Sequence, residues 1–160
     1  MIIKSKMTRR DFINANFVLA YKRISTKIIT IIFSLLLLLF IFFSFFSPDI
    51  HVTDFIVPVL AILMTPVLTY LRAKNTFDSN KRAGETIEYI FDKDYLTMKG
   101  ESFNSQLTWD KLYKVTQSKN WIFIWQNRQF ANPISKKDIW EGEIHTLKAL
   151  LDAHNVKNNL

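Results

Sequence analysis

The chain has 160 residues and a mass of 18.9 kDa, with 49% hydrophobic residues, 22% charged residues and a formal net charge of +7. This length suits one modest domain with attached segments, and the absence of cysteine excludes a disulfide-stapled scaffold. Because the apolar residues are concentrated in two blocks between Ile28 and Leu71, the composition also excludes a soluble protein with a single core.

The first predicted element is a cytoplasmic amphipathic helix within residues 1–27. Thr8 followed by Asp11 is a capping-box pattern, which starts a helix by satisfying free backbone donors. A helix beginning there aligns five apolar residues on one stripe: Ile13, Phe17, Ala20, Tyr21 and Ile24. We expect this stripe to lie under lipid headgroups, and the alternative is a docking surface for a partner or for the rest of the chain.

The two apolar blocks are predicted to be membrane spans, at residues 28–46 and 55–71. The first holds nineteen residues without a charge, enough to cross the hydrocarbon core as a helix. The second is slightly shorter and contains Pro58 and Pro66, of which Pro66 should kink the helix. The alternatives are a cleaved signal peptide for the first block, which lacks a small-residue cleavage site, and buried core helices for both.

Charges around the blocks predict the orientation. The connecting loop, residues 47–54, contains two acidic residues and no Lys or Arg, whereas eleven basic residues flank the far ends of the blocks. The positive-inside rule therefore places both termini in the cytoplasm of a multi-pass protein with a short external loop. Anionic lipid headgroups are the expected partners of five of these basic residues: Lys22, Arg23, Lys27, Arg72 and Lys74.

After a basic linker at residues 72–84, residues 85–160 are predicted to form an α+β domain. Short alternating runs separated by turn residues predict an antiparallel β meander. The six predicted strands are Glu85–Phe91, Tyr95–Lys99, Ser102–Thr108, Tyr113–Ser118, Trp121–Trp125 and Gln129–Ser135.

One predicted strand is apolar on both faces. Trp121, Phe123 and Trp125 alternate with Ile122 and Ile124, so one face fits a core and the other requires separate cover. Cover from within the chain or from the membrane surface is the simpler interpretation. The functional interpretation makes Trp121, Phe123 and Trp125 a contact surface for a partner or for a second copy of the chain.

The last predicted element is a helix that covers the sheet. Ser135 and Asp138 form a second capping-box pattern. The apolar stripe that follows has helical spacing and consists of Trp140, Ile144, Leu147 and Leu151.

We expect no enzyme, no cofactor, no metal site and no nucleic-acid partner. His145 and His154 are nine residues apart on the last helix and point in opposite directions, so they cannot share a metal. No Walker, Rossmann, nucleophile-elbow or HExxH motif occurs. Residues 85–160 carry ten basic and ten acidic residues, whereas a nucleic-acid-binding domain would have an excess of positive charge.

Several segments resemble the YcxB-like bacterial membrane proteins: TRRDFINANFVLAYKRIS before the first span, then IEYIFDKDYLTMKG, LTWDKLYKVTQSKNWIFIW and NPISKKDIW. Trp109 is the most characteristic position. The resemblance implies a pleckstrin-homology-like (PH-like) domain at the inner membrane, a partly open barrel closed by the C-terminal helix, and no catalytic residues. It does not imply phosphoinositide binding, because Asp92 and Asp94 in the corresponding loop would repel phosphate.

These expectations combine into one functional hypothesis. The protein is a non-enzymatic inner-membrane protein in which a membrane helical hairpin carries a cytoplasmic PH-like domain that binds a protein or a second copy of the chain. The alternative is an immunity protein against a membrane-active bacteriocin or toxin, with the hairpin as the active element.

Overall fold

The computed structural model describes residues 1–46 and 51–160. The chain divides into two compact units. The sheet unit consists of Met1–Asp11 together with Asn80–Leu160, and the helical unit is Phe12–Ser79. The helical unit is therefore an insertion within the sequence of the sheet unit.

Three α-helices account for most of the insertion: α1 (Arg9–Lys22), α2 (Ile24–Ser44) and α3 (Ile56–Ser79). Two helical segments, Ile24–Ser44 and Thr53–Ser79, are long and apolar enough to cross a membrane. The first segment begins four residues before its predicted block and ends two residues short of it, whereas the second extends beyond its predicted block at both ends. Pro66 lies inside α3. Of the predicted external loop, residues 47–50 lie outside the described residues.

The N-terminal segment differs from the single predicted helix. Its first residues form a strand, β1 (Ile2–Lys6), and only then does α1 begin. The predicted capping box is present at that point: the Asp11 backbone N–H donates to Thr8 Oγ1 (3.2 Å), and the Thr8 backbone N–H donates to the Asp11 carboxylate (3.3 Å).

The first sheet has four antiparallel strands in the order β1-β2-β3-β4, with β2 at Thr86–Phe91, β3 at Tyr95–Lys99 and β4 at Asn104–Thr108. β1 pairs with β2 across the whole helical insertion. The register runs from Ile2 opposite Ile90 to Lys6 opposite Thr86. The chain therefore leaves this sheet for the insertion and returns to it at neighbouring positions.

The second sheet has three antiparallel strands, β5 (Lys114–Gln117), β6 (Trp121–Trp125) and β7 (Ala131–Ser135). All six predicted strands are thus present. The predicted meander is interrupted between β4 and β5 by a 3-10 turn at Trp109–Lys111. The result is two separate sheets, neither of which is closed.

The C-terminal helix, α4 (Glu141–Ala153), begins later than the second capping-box pattern predicts. Ser135 caps only a 3-10 turn at Lys136–Asp138, and the chain becomes extended at Ile139, whose side chain is buried. The Glu143 carboxylate instead accepts a hydrogen bond from the Trp140 backbone N–H (2.9 Å) at the start of α4.

The core of the sheet unit joins both sheets and α4. Leu147 and Leu151 of the predicted stripe are fully buried in it, whereas Trp140 is 82% exposed and is not part of the core. The core residues that the sheets contribute are Ile3, Tyr89, Phe91, Leu96, Met98, Val115, Ile122, Ile124 and Ile134. Ile3 belongs to β1, so the first strand of the chain completes a core built mostly from residues beyond 88.

Candidate interaction surfaces

The predicted contact surface on β6 is not open in the folded chain. Ile122 and Ile124 face the core and are fully buried. On the opposite face Trp121 is 5% exposed and Phe123 is 0% exposed, and Trp125 is half-buried. The Trp125 indole N–H donates to Thr116 Oγ1 (2.8 Å). As folded, these side chains do not offer a partner the broad apolar surface that the sequence predicts.

The five basic residues predicted to contact lipid lie in two groups of the helical unit. Lys22, Arg23 and Lys27 lie where α1 gives way to α2, and Arg72 and Lys74 lie in the last third of α3. All are exposed except Lys74, which is half-buried.

The two groups lie at one end of the α2–α3 hairpin. The rings of Phe40 and Phe55 are 6.0 Å apart near the connection of the two helices. Counting back along α2 and forward along α3 at about 1.5 Å per residue brings both basic groups to the same level. Both groups therefore lie toward the end of the α2–α3 pair that is far from Phe40 and Phe55.

An ion pair joins β1 to β2 on the outer face of the first sheet. Lys4 Nζ lies 2.7 Å from Glu88 Oε1. The hydrogen bond and positive charge of Lys4 hold the pKa of Glu88 below its ordinary value. Hydrogen bonds from the Ser102 hydroxyl and backbone N–H likewise lower the pKa of Glu85, next to the start of β2.

We expect the sheet unit to lose stability as the pH falls below about 4.5. Both carboxylates have folded-state pKa values below the unfolded value of 4.5, so their contribution is present above that pH and is lost as pH falls through the folded pKa. Urea unfolding at several pH values should show a smaller pH dependence for Glu88→Gln and for Lys4→Gln. An unchanged dependence in both variants would contradict this role of the ion pair.

The outer edge of β4 is one of the two edges of the first sheet, and β1 forms the other. β4 pairs with β3 on one side, and no described strand pairs with its other side. Because the Gly100 N–H donates to the Phe103 carbonyl, the antiparallel alternation directs the backbone groups of Asn104, Gln106 and Thr108 away from β3. The three side chains are exposed. This edge offers backbone donors and acceptors to an added strand.

Charged residues are unevenly distributed along residues 85–160. The equal numbers of basic and acidic residues in the whole range do not show this. Residues 111–137 contain six basic residues and no acidic residue: Lys111, Lys114, Lys119, Arg128, Lys136 and Lys137. The rest of that range holds four basic and ten acidic residues. A count in shorter windows would have found this polarity from the sequence, since the basic stretch coincides with β5, β6 and β7.

No cluster of three or more His, Asp or Glu side chains arranged to hold a metal occurs in residues 1–46 and 51–160. His154 stacks on the Trp109 indole, with ring centroids 5.1 Å apart. The Trp109 indole N–H donates to the Lys93 carbonyl (3.1 Å). Trp109, the most characteristic position of the family resemblance, thus holds the β2–β3 turn and the end of α4.

Comparison with known protein families finds a match within the second half of the chain. Residues 91–151 match the model of the YcxB-like proteins, a range that runs from the end of β2 into α4. The match does not include β1 or the helical unit. No curated protein and no solved structure matches the chain. The predicted resemblance to the YcxB-like proteins is thereby confirmed over residues 91–151.

Proposed function

We propose that this protein is a non-enzymatic inner-membrane protein whose sheet unit is a cytoplasmic, PH-like module that binds another protein. The observation that carries the proposal is the pairing of β1 with β2 around the helical insertion. Lys6 and Thr86 are opposite each other in the sheet, so both ends of the insertion must be on the same side of a membrane. Two crossings satisfy this requirement, and a single crossing does not.

The order of elements supports the PH-like part of the proposal. A four-stranded and a three-stranded antiparallel sheet are followed by one C-terminal helix whose Leu147 and Leu151 close the core. In this arrangement the membrane hairpin occupies the connection between the first two strands.

The β4 edge supports the protein-binding part of the proposal. The Trp121–Trp125 strand is covered, whereas Asn104, Gln106 and Thr108 direct unpaired backbone groups and exposed polar side chains outward. An extended segment of a partner would gain main-chain hydrogen bonds by adding to this edge, which is the recognition mode called β-augmentation.

The test places a photo-crosslinking amino acid at Asn104 of the full chain in its native membrane. We expect a discrete crosslinked product whose mass distinguishes a second copy of the chain from a different protein. Gln106→Pro should abolish the product, because proline removes a donor that faces away from β3 and leaves the β3–β4 ladder intact. Gln106→Thr, which keeps the donor, is the matched control. A product that persists in Gln106→Pro, or no product in any variant, would refute binding at this edge.

The immunity hypothesis places the activity in the hairpin instead. Replacing Ile28–Leu71 with an unrelated two-span hairpin should preserve the crosslink at Asn104 under our proposal. Loss of a protective phenotype in that chimaera, with the crosslink intact, would favour the immunity hypothesis.

A further inference from the structure

An aromatic and basic patch lies at one end of the second sheet. Lys114 is opposite Trp125 in the register of β5 and β6, and its ammonium lies 5.0 Å from the Trp125 ring and 5.3 Å from the Tyr113 ring. The Gln126 N–H donates to the Phe130 carbonyl, so the β6–β7 turn continues from this end of β6. We name Tyr113, Lys114, Trp125, Arg128 and Phe130 the hairpin patch.

Hydrogen bonds fix the β6–β7 turn in a conformation that leaves the Phe130 ring exposed to solvent. Asn127 Oδ1 accepts hydrogen bonds from the Gln129 and Phe130 backbone N–H groups, both at 2.8 Å. Phe130 is nevertheless 69% exposed, and Tyr113 is 44% exposed. A phenylalanine fixed in this position exposes apolar surface that the sheet unit itself does not bury.

The charges around the hairpin patch indicate which kind of surface would bind it. Arg128 is exposed on the turn and Lys114 is half-buried between two rings, and both belong to the stretch of residues 111–137 that has no acidic residue. Tyr and Trp favour the boundary between lipid and water, and basic residues are attracted to anionic headgroups. Trp140 is more exposed than Phe130, but Glu141 and Glu143 follow it directly, which makes its neighbourhood unsuitable for an anionic surface.

We propose that the hairpin patch is a second membrane contact, in which Phe130 enters the headgroup region while Lys114 and Arg128 bind anionic phospholipids. This inference rests on the membrane location proposed above and extends it to the sheet unit. The contact would hold the domain in one orientation on the bilayer.

The test uses the cysteine-free full chain reconstituted in nanodiscs of phosphatidylcholine, with or without phosphatidylglycerol. A single cysteine at Gln129 carries an environment-sensitive dye, and headgroup-labelled nitroxide lipids quench a dye that reaches the bilayer surface. The matched control is Asp94→Cys, an exposed site in the acidic β2–β3 turn. A third site, Leu36→Cys in α2, reports separately on insertion of the hairpin.

We expect quenching at position 129 in the phosphatidylglycerol nanodiscs and little in phosphatidylcholine alone. Each of Lys114→Gln and Arg128→Gln should lower the ratio of quenched to unquenched dye about fivefold, as the loss of one charge contact predicts. Phe130→Ser should reduce quenching without changing its dependence on anionic lipid. Intrinsic tryptophan emission of each variant verifies that the sheet unit is folded.

Three outcomes would overturn the inference. The first is no quenching at position 129, and the second is equal quenching at 129 and 94, which would mean that no particular patch is oriented to lipid. The third is a dye that moves to an apolar environment without being quenched, which would mean that protein covers the patch. If the dye at Leu36 is also unquenched by acyl-chain nitroxides, the proposed membrane location fails as well.

Discussion

Replacing Ile3 with aspartate should unfold the sheet unit, whereas the same replacement at Ile2 should leave it folded. Ile3 is 1% exposed and lies opposite Tyr89 in the core, and Ile2, its neighbour in β1, is 55% exposed. An unpaired carboxylate at position 3 would have to be buried or would force β1 out of the sheet. The milder Ile3→Ala should lower the free energy of unfolding by about 2–5 kcal/mol, a large part of the stability of a domain this small.

Tryptophan fluorescence measures this effect selectively. All four tryptophans belong to the sheet unit, at positions 109, 121, 125 and 140, and the helical unit contains none. Urea unfolding of the full chain in detergent should therefore report the sheet unit alone. We expect Ile3→Asp to have exposed-tryptophan emission before urea is added, and Ile2→Asp to match the wild type. Wild-type unfolding in both aspartate variants would show that β1 is not part of the folded sheet.

β1 also shows where prediction from sequence ends. Strands β2 to β7 and α4 were predictable because each carries its own pattern, either alternation between turn residues or helical spacing of apolar residues. β1 is five residues with two isoleucines, two lysines and a serine, a weak pattern by itself. Its partner β2 lies some eighty residues further along the chain, and local patterns carry no information about such a pairing.

The candidate interaction surfaces were also predictable only where a local pattern in the sequence reveals them. The sequence correctly shows that β6 is apolar on both faces, but it cannot show whether Trp121 and Phe123 are covered, because cover depends on tertiary packing. The exposure of Phe130 is equally a tertiary property, since an isolated phenylalanine in a predicted strand suggests a core position. The excess of basic residues in residues 111–137, by contrast, is visible in the sequence. It is found by counting charged residues in windows shorter than the whole range 85–160.

The two ends of the helical unit should be found on one side of the membrane, with the loop between α2 and α3 on the other. Two independent features support this prediction: the distribution of lysine and arginine around the two candidate spans, and the pairing of Lys6 with Thr86 in one sheet, which requires the two ends to share a side. The first feature sets which side is cytoplasmic. The second sets only that the two ends share a side, so the two features can fail separately.

Single cysteines at Lys6, His51 and Lys119 test both features, since the chain has no cysteine of its own and all three positions are exposed. Lys119 is preferable to the adjacent Ser118, whose hydroxyl is buried without a hydrogen-bond partner. A membrane-impermeant maleimide should label His51→Cys in intact cells and the other two only after lysis, with at least a tenfold difference in each case.

Two other labelling patterns would contradict this prediction. Labelling of Lys6→Cys and Lys119→Cys but not His51→Cys in intact cells would show that the orientation is inverted, although the β1–β2 pairing would still hold. Different labelling of Lys6→Cys and Lys119→Cys would place β1 and β2 on opposite sides of the membrane, which the β1–β2 pairing does not permit.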